Sequence, residues 1–248
     1  MMEEWIAGKN PVLEALRAGR EINKIWIAES AQKNAMKPVI ALAKESGIIV
    51  QFVPRKKIDG VAKTDVHQGV VASIAAYKYA EIEDIFRLAE KREEQPFMII
   101  LDELEDPHNL GSILRTADAT GAHGVIIPKR RAVGLTATVA KASTGAIEYI
   151  PVARVTNLSR TIEDLKAKGV WVAGTDASAK QDYREMEADM PLALVIGSEG
   201  KGMSRIIKEK CDFLLTLPML GKVTSLNASV AASLLMYEVL RKRMPIKR

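Results

Sequence analysis

Two apolar rhythms divide this chain. Near the start, Val12, Leu13 and Leu16 recur at helical spacing behind Asn10-Pro11, a pair suited to a helix start because Asn caps free donors and Pro is tolerated in the first turn. The pattern predicts a helix over about 10–18, a strand over Ile22–Ala28, an Ala-rich helix near 35–46 stopped by Gly47, and strands over 48–53 and 69–75. These elements make a small α/β unit, residues 1–76. Residues 77–95 turn charged and keep one amphipathic stripe, Ile82, Ile85, Phe86 and Ala89, which reads as a helical linker. From 96 to 248 short continuous apolar runs alternate with amphipathic segments. FMIIL, GVIIP, EYIPV, VWVAG, LALVIG and FLLTL read as strands, with helices near 109–120, 135–143 and 157–168, after Gly202, and over 227–243. That alternation predicts an α/β domain whose mostly parallel sheet is covered on both faces.

Composition narrows the class. Of 248 residues 48% are hydrophobic, enough to build a sizeable core, and no run approaches the roughly 18 apolar residues of a membrane helix. The start, MMEEWIAGKN, is not a basic leader, so a cytoplasmic location is expected. One cysteine, Cys211, and three scattered histidines, His67, His108 and His123, leave no ligand set for a metal, and none is expected. The net charge of +5 favours an anionic partner. Basic residues gather in Arg55-Lys56-Lys57, in Lys129-Arg130-Arg131, and among Arg241, Lys242, Arg243, Lys247 and Arg248. Each cluster alone reads as solvated surface; together they make Lys129, Arg130, Arg131, Arg55 and Lys56 candidate nucleic-acid contacts.

Ligands of parallel α/β domains sit beyond the carboxyl ends of the strands, and the loops there are unusual. FMIIL leads into Asn109-Leu110-Gly111 and Arg115; taken plainly, Asn109 is a helix cap, Gly111 a packing residue, and Arg115 a partner for Asp118. LALVI leads into Gly197-Ser198-Glu199-Gly200-Lys201-Gly202, either a tight turn or a backbone cradle for a ligand. FLLTL leads into a run from Pro218 to Ser229, in which Ser225 or Asn227 could cap the last helix and the small residues Ala228, Ser229, Ala231 and Ala232 leave room for something to pack closely. Neither Gly200-Lys201-Gly202 nor Gly221-Lys222-Val223 has Walker spacing, and no loop has the dinucleotide fingerprint.

Taken together, N-L-G-x-x-x-R at 109–115, G-S-E-G-x-G at 197–202 and P-M-x-G-x-x-x-S-L-N-x-S at 218–229 resemble the three signature motifs of the SpoU (TrmH) family of knotted RNA 2′-O-ribose methyltransferases. The leading segment, with its opening G-x-N-P-V-x-E-A-L, resembles the ribosomal-protein-like substrate-binding domain found ahead of such domains, notably in the bacterial enzyme that methylates a guanosine of 23S ribosomal RNA. The resemblance implies a deep trefoil knot, S-adenosylmethionine as cofactor, RNA as partner and a homodimer. By motif position it assigns cofactor contacts to Gly174, Thr175, Ile196, Gly197, Ser198, Gly200, Leu217, Ser225 and Leu226, with Leu217 and Leu226 flanking the adenine. It gives Arg115 the central catalytic role, supported by Asn109, Glu199 and Asn227, with Glu199 expected to orient the Arg115 guanidinium. A transfer RNA substrate is the chief rival within the class. Outside it stand a non-catalytic ribosome-assembly module and a small-molecule enzyme; the intact Asn109, Arg115, Glu199 and Asn227 oppose the first, the failed nucleotide fingerprints the second.

Overall fold

The computed structural model describes residues 5–62, 66–75, 77–223 and 225–244. Ala76, where the sequence closes its first unit, and Lys247 and Arg248 of the terminal basic cluster lie outside the described residues. The chain forms two compact units: the described residues up to Lys78 with Gly134–Thr138, and Tyr79–Val133 with Val139 onward.

The first unit runs β1 (Trp5–Ala7), α1 (Lys9–Arg17), β2 (Ile22–Ala28), α2 (Lys33–Glu45), β3 (Val50–Val53), α3 (Arg55–Asp59) and β4 (Val70–Ile74). Its sheet has the order β1-β4-β2-β3, with β2 and β3 parallel and the other pairs antiparallel. Side chains alternate across a strand, so Ile25, Ile27, Val70 and Ala72 face α1 and α2, while Trp26, Ala28, Val53 and Val71 meet Ile58 of α3 on the other face. Asn10 is not the cap. Gly8 holds φ 102° and donates its N–H to Val70 O, which ends β1 and starts the helix before Asn10 is reached. The sequence pattern also passed over β1 and α3, elements of three and five residues, too short to show a period.

The second unit runs α4 (Ile82–Lys91), β5 (Phe97–Asp102), α5 (Pro107–Ala119), β6 (Gly124–Pro128), α6 (Ala137–Ala142), β7 (Val152–Val155), α7 (Leu158–Ala167), β8 (Trp171–Thr175), β9 (Gln181–Asp182), β10 (Leu192–Gly197), α8 (Arg205–Lys210), β11 (Phe213–Thr216) and α9 (Ala228–Arg243), although α6 begins within the short stretch that groups with the first unit. All strand pairs of its seven-stranded sheet, β7-β6-β5-β10-β8-β11-β9, are parallel. The segment expected as a helical linker holds α4, and that helix packs into this unit: Ile85 is fully buried among Met98, Ile100 and Ile126. EYIPV is not a strand from its first residue. Gly145 takes φ 92° ahead of a 3-10 turn at Ala146–Glu148, and β7 begins only after Pro151, which has no N–H to pair.

The inserted position of β10 between β5 and β8 decides where chemistry can occur. It brings the loops after β5, β8, β10 and β11 to one end of the sheet.

Candidate active site

Local capping chemistry frees Asn109. Asp106, with Pro107 following, caps α5 by accepting the His108 N–H at 3.0 Å, so Asn109 lies in the first turn and is buried rather than serving as the cap. Its Nδ2 donates to Glu199 Oε1 at 2.9 Å, and its Oδ1 accepts from Asn227 Nδ2 at 2.9 Å. Asn227 Nδ2 also donates to Glu199 Oε1, and the Ala228 N–H approaches that oxygen at 3.4 Å. Asn227 caps α9: its Oδ1 accepts from the N–H groups of Ser229 and Val230 at 2.9 and 3.3 Å. One Asn–Glu–Asn cluster therefore ties together the helix after β5, the loop after β10 and the helix after β11.

The loop after β10 folds back on itself. Ser198 and Gly202 exchange backbone hydrogen bonds at 3.1 and 2.8 Å, with Gly202 at φ 66°, and the buried Asp102 accepts the Ser204 N–H at 2.7 Å. Gly197 is obligatory there, since a Cβ would come within 2.1 Å of the Gly202 carbonyl carbon. Beside this loop lies a cavity of about 490 Å³, within the range of small-molecule sites. Thr175, Ile196, Gly197, Ser198, Gly200, Leu217, Ser225 and Leu226 all line it. Gly174 does not. It is buried one residue earlier on β8, where a Cβ would meet Cys211 Sγ and the Met203 methyl at 2.7 Å, so its smallness serves packing.

Asp176, Lys201, Leu215 and Met219 also line the cavity and were not singled out from the sequence. Asp176 was findable as the residue ending VWVAGTD; Lys208 at 2.7 Å, with Ser178, holds its carboxyl below the usual range and keeps it ionised. The cavity's apolar walls, Leu215, Leu217, Met219 and Leu226, beside the folded-back loop suit a flat base and a short polar tail, which is the shape of adenosylmethionine. Cys211 offers no nucleophile, because burial pushes its thiol up to about 12.

Arg115 stands apart from the cluster. It is exposed on α5, has no hydrogen bond or ion pair among the described residues, and does not line the cavity. Glu199 thus holds the two asparagines rather than Arg115, and the surface pairing of Arg115 with Asp118 does not occur either. Of the candidate RNA contacts, Arg130 and Lys56 are exposed, Lys129 is half-buried, Arg55 lies 3.9 Å from Asp59, and Arg131 is paired with Glu103 at 2.6 Å. The terminal basic cluster is partly structural: Arg241 pairs with Glu238 at 2.7 Å, and Arg243 donates to four backbone carbonyls. Among the described residues no three His, Cys, Asp or Glu gather as a metal site, and no helix is long and apolar enough to cross a membrane.

Residues 96–237 match the SpoU rRNA Methylase family, and residues 5–80 match the family described as RNA 2′-O ribose methyltransferase substrate binding. A Bacillus subtilis protein named as a TrmH family tRNA/rRNA methyltransferase, YacO, is 67% identical over 98% of this chain and 97% of its own length. The SpoU methyltransferase AviRb of Streptomyces viridochromogenes, solved with AdoMet, aligns over 97% of this chain and 90% of its own with a TM-score of 0.62 and 25% identity. The AdoMet-bound rRNA methyltransferase of Sinorhizobium meliloti aligns over 97% and 87% with a TM-score of 0.59 and 27% identity.

Proposed function

We propose, from the premise that the chain belongs to the SpoU rRNA Methylase family, that it methylates a ribose 2′-hydroxyl of RNA and that its target is a guanosine of 23S ribosomal RNA. Family membership makes it an RNA methyltransferase that uses S-adenosylmethionine, with the trefoil-knotted α/β fold of SpoU enzymes. The observation that carries the finer reading is the convergence of three loops on the Asn109–Glu199–Asn227 cluster beside the 490 Å³ cavity. A ribosomal target is supported by the likeness, across both units, to an enzyme titled an rRNA methyltransferase.

The cofactor supplies a methyl group already activated on sulfur, so the protein has to align the reactants and stabilise charge on the ribose oxygen. Leu217 and Leu226 hold the adenine, and the Ser198–Gly202 turn supplies backbone partners. A guanidinium stays protonated in proteins, so Arg115 acts by electrostatics. It binds the adjacent phosphate and stabilises the developing alkoxide, and the proton leaves to phosphate or solvent. Asn109, Glu199 and Asn227 fix the frame around the ribose.

The protein works as a cytoplasmic homodimer without a metal. Leu235 and Val239 of α9 are buried within the chain itself, but Val230, Leu234 and Tyr237 remain as an exposed apolar stripe at helical spacing, the face a second copy would cover. Sedimentation at micromolar concentration tests the pairing, and a fully active monomer would refute it. Mapping 2′-O-methylation across total RNA from cells with and without the gene tests the substrate. Loss of a single ribosomal guanosine mark is the expected result, and loss of a transfer RNA mark instead would replace it.

A further inference from the structure

One face of the first unit's sheet sets two tryptophans beside two lysines at the margin of its smaller core cluster. Registers across β1, β4 and β2 put Trp5, Ser73 and Lys24 in one row, and Trp26 lies in the next row of the same face. The Trp5 and Trp26 rings pack with centroids 4.5 Å apart and planes tilted by 39°. The Lys24 ammonium sits 5.6 Å from the Trp5 ring and 5.2 Å from the Trp26 ring, and Lys57, the third residue of α3, places its ammonium 4.5 Å from the Trp26 ring. Trp26 is held from the neighbouring strand β3 by its Nε1–H bond to Gln51 Oε1 at 2.9 Å. Two cations are thus positioned beside a pair of tryptophans of which Trp26 is buried and Trp5 half-buried, and the exposed Arg55 and Lys56 continue the positive charge along α3.

In the same row, the Ser73 hydroxyl is fully buried with no hydrogen-bond partner among the described residues, a cost that Ala at the same position would avoid. Aromatic rings flanked by Lys heads are what a single-stranded nucleic acid uses: a base stacks on the ring while its phosphates meet the ammonium groups.

We infer that the Trp5–Trp26–Lys24–Lys57 face is the surface on which the first unit docks an unpaired RNA segment, with a base stacked on Trp5 and neighbouring phosphates on Lys24 and Lys57. This rests on the reading of RNA as the substrate. It adds to the cluster expectation that named only Arg55 and Lys56 here, and it gives Trp5 a part in selecting unpaired over duplex RNA.

The test uses the full chain and deproteinised 23S ribosomal RNA from cells lacking the gene. Filter binding is measured at several salt concentrations, and methyl transfer is followed separately. Trp5→Leu keeps apolar volume but removes the flat ring, and should weaken RNA binding and raise KM for RNA about tenfold with little change in kcat. Replacing Lys24 and Lys57 together by Gln should lower the log–log salt slope by about 1.4, two single-strand phosphate contacts. Melting temperatures and cofactor affinity without RNA show that the variants fold. Folded variants with wild-type RNA affinity and salt slope would overturn the inference. Wild-type protein that binds this RNA but transfers no methyl would instead remove the proposed target, and the binding comparison would still decide the role of this face.

Discussion

The two ends of the seven-stranded sheet each hold a cavity, and two arginines of this unit are used oppositely. At the carboxyl ends, the loops meet in the Asn109–Glu199–Asn227 cluster beside 490 Å³, and Arg115, further along α5, is left without a partner among the described residues. At the amino ends a cavity of about 510 Å³ lies against Arg243, whose guanidinium reaches the carbonyls of Gln95, Pro96, Ala188 and Met190 and packs 5.4 Å from the Phe97 ring. Nearby His123 is locked as well: its Nδ1 accepts the Phe97 N–H at 3.0 Å, so Nε2 carries the proton towards Glu94 at 3.0 Å. Arg243 is spent on fixing the last helix to the segments that lead into the central strands β5 and β10, whereas Arg115 has no partner among the described residues. Cavity size does not tell the two ends apart, but the satisfaction of polar groups does.

The sharpest way to break this contrast is to exchange the expected phenotypes of the arginines. Arg115→Ala should retain cofactor affinity and melting temperature but lose roughly 10²-fold or more in turnover, and Lys should restore it only partly because it lacks the planar fork. Single-turnover methylation beside thermal melts measures this; near-normal turnover would end the proposed role of Arg115. Arg243→Ala should do the reverse, lowering stability by about 2 kcal/mol through unpaired carbonyls while cofactor affinity, read by calorimetry, stays near wild type.

Between these lies Glu199. Its Oε1 receives Asn109, Asn227 and the Ala228 N–H, so Glu199→Ala should slow turnover about tenfold and cost about 1–3 kcal/mol by taking the acceptor from the buried Asn109 amide, while Asn227 keeps Asn109 Oδ1. Glu199→Gln keeps an acceptor and should be milder on stability. Denaturant unfolding of both variants separates a merely structural glutamate, which would move stability and leave the activity of the folded enzyme intact.

The smallest effect concerns pH. Burial holds the His123 imidazole below its ordinary value, with Glu94 only partly opposing. The unfolded chain therefore takes up this proton first, so the contribution of His123 is complete above about pH 6.5 and declines as pH falls below it. Replacing His123 by Gln should flatten the pH dependence of stability between pH 7 and 5. An unchanged slope would mean that His123 binds its proton equally well in the folded and the unfolded chain.

Read by itself, the sequence determined the strands and the long helices, because continuous apolar runs and 3.6-residue periods are local signals: Ile22–Ala28 and Leu192–Gly197 match the expected limits. It also named the residues that meet at the carboxyl ends, because glycines, asparagines and one glutamate at fixed spacing form a family pattern independent of any contact. Partners were not legible. Nothing local shows that Glu199 would hold Asn109, ninety positions away, in preference to Arg115, or that Asp106 would take the cap and leave Asn109 free. Gly174 looked like a cofactor contact until Met203 and Cys211 were packed over it, and Arg243 looked like a solvated end residue until four carbonyls surrounded it. Those outcomes depend on strand order. Only once β10 lies between β5 and β8 do these groups come within hydrogen-bonding distance, and which of several polar candidates pair is then decided by geometry and burial rather than by residue type.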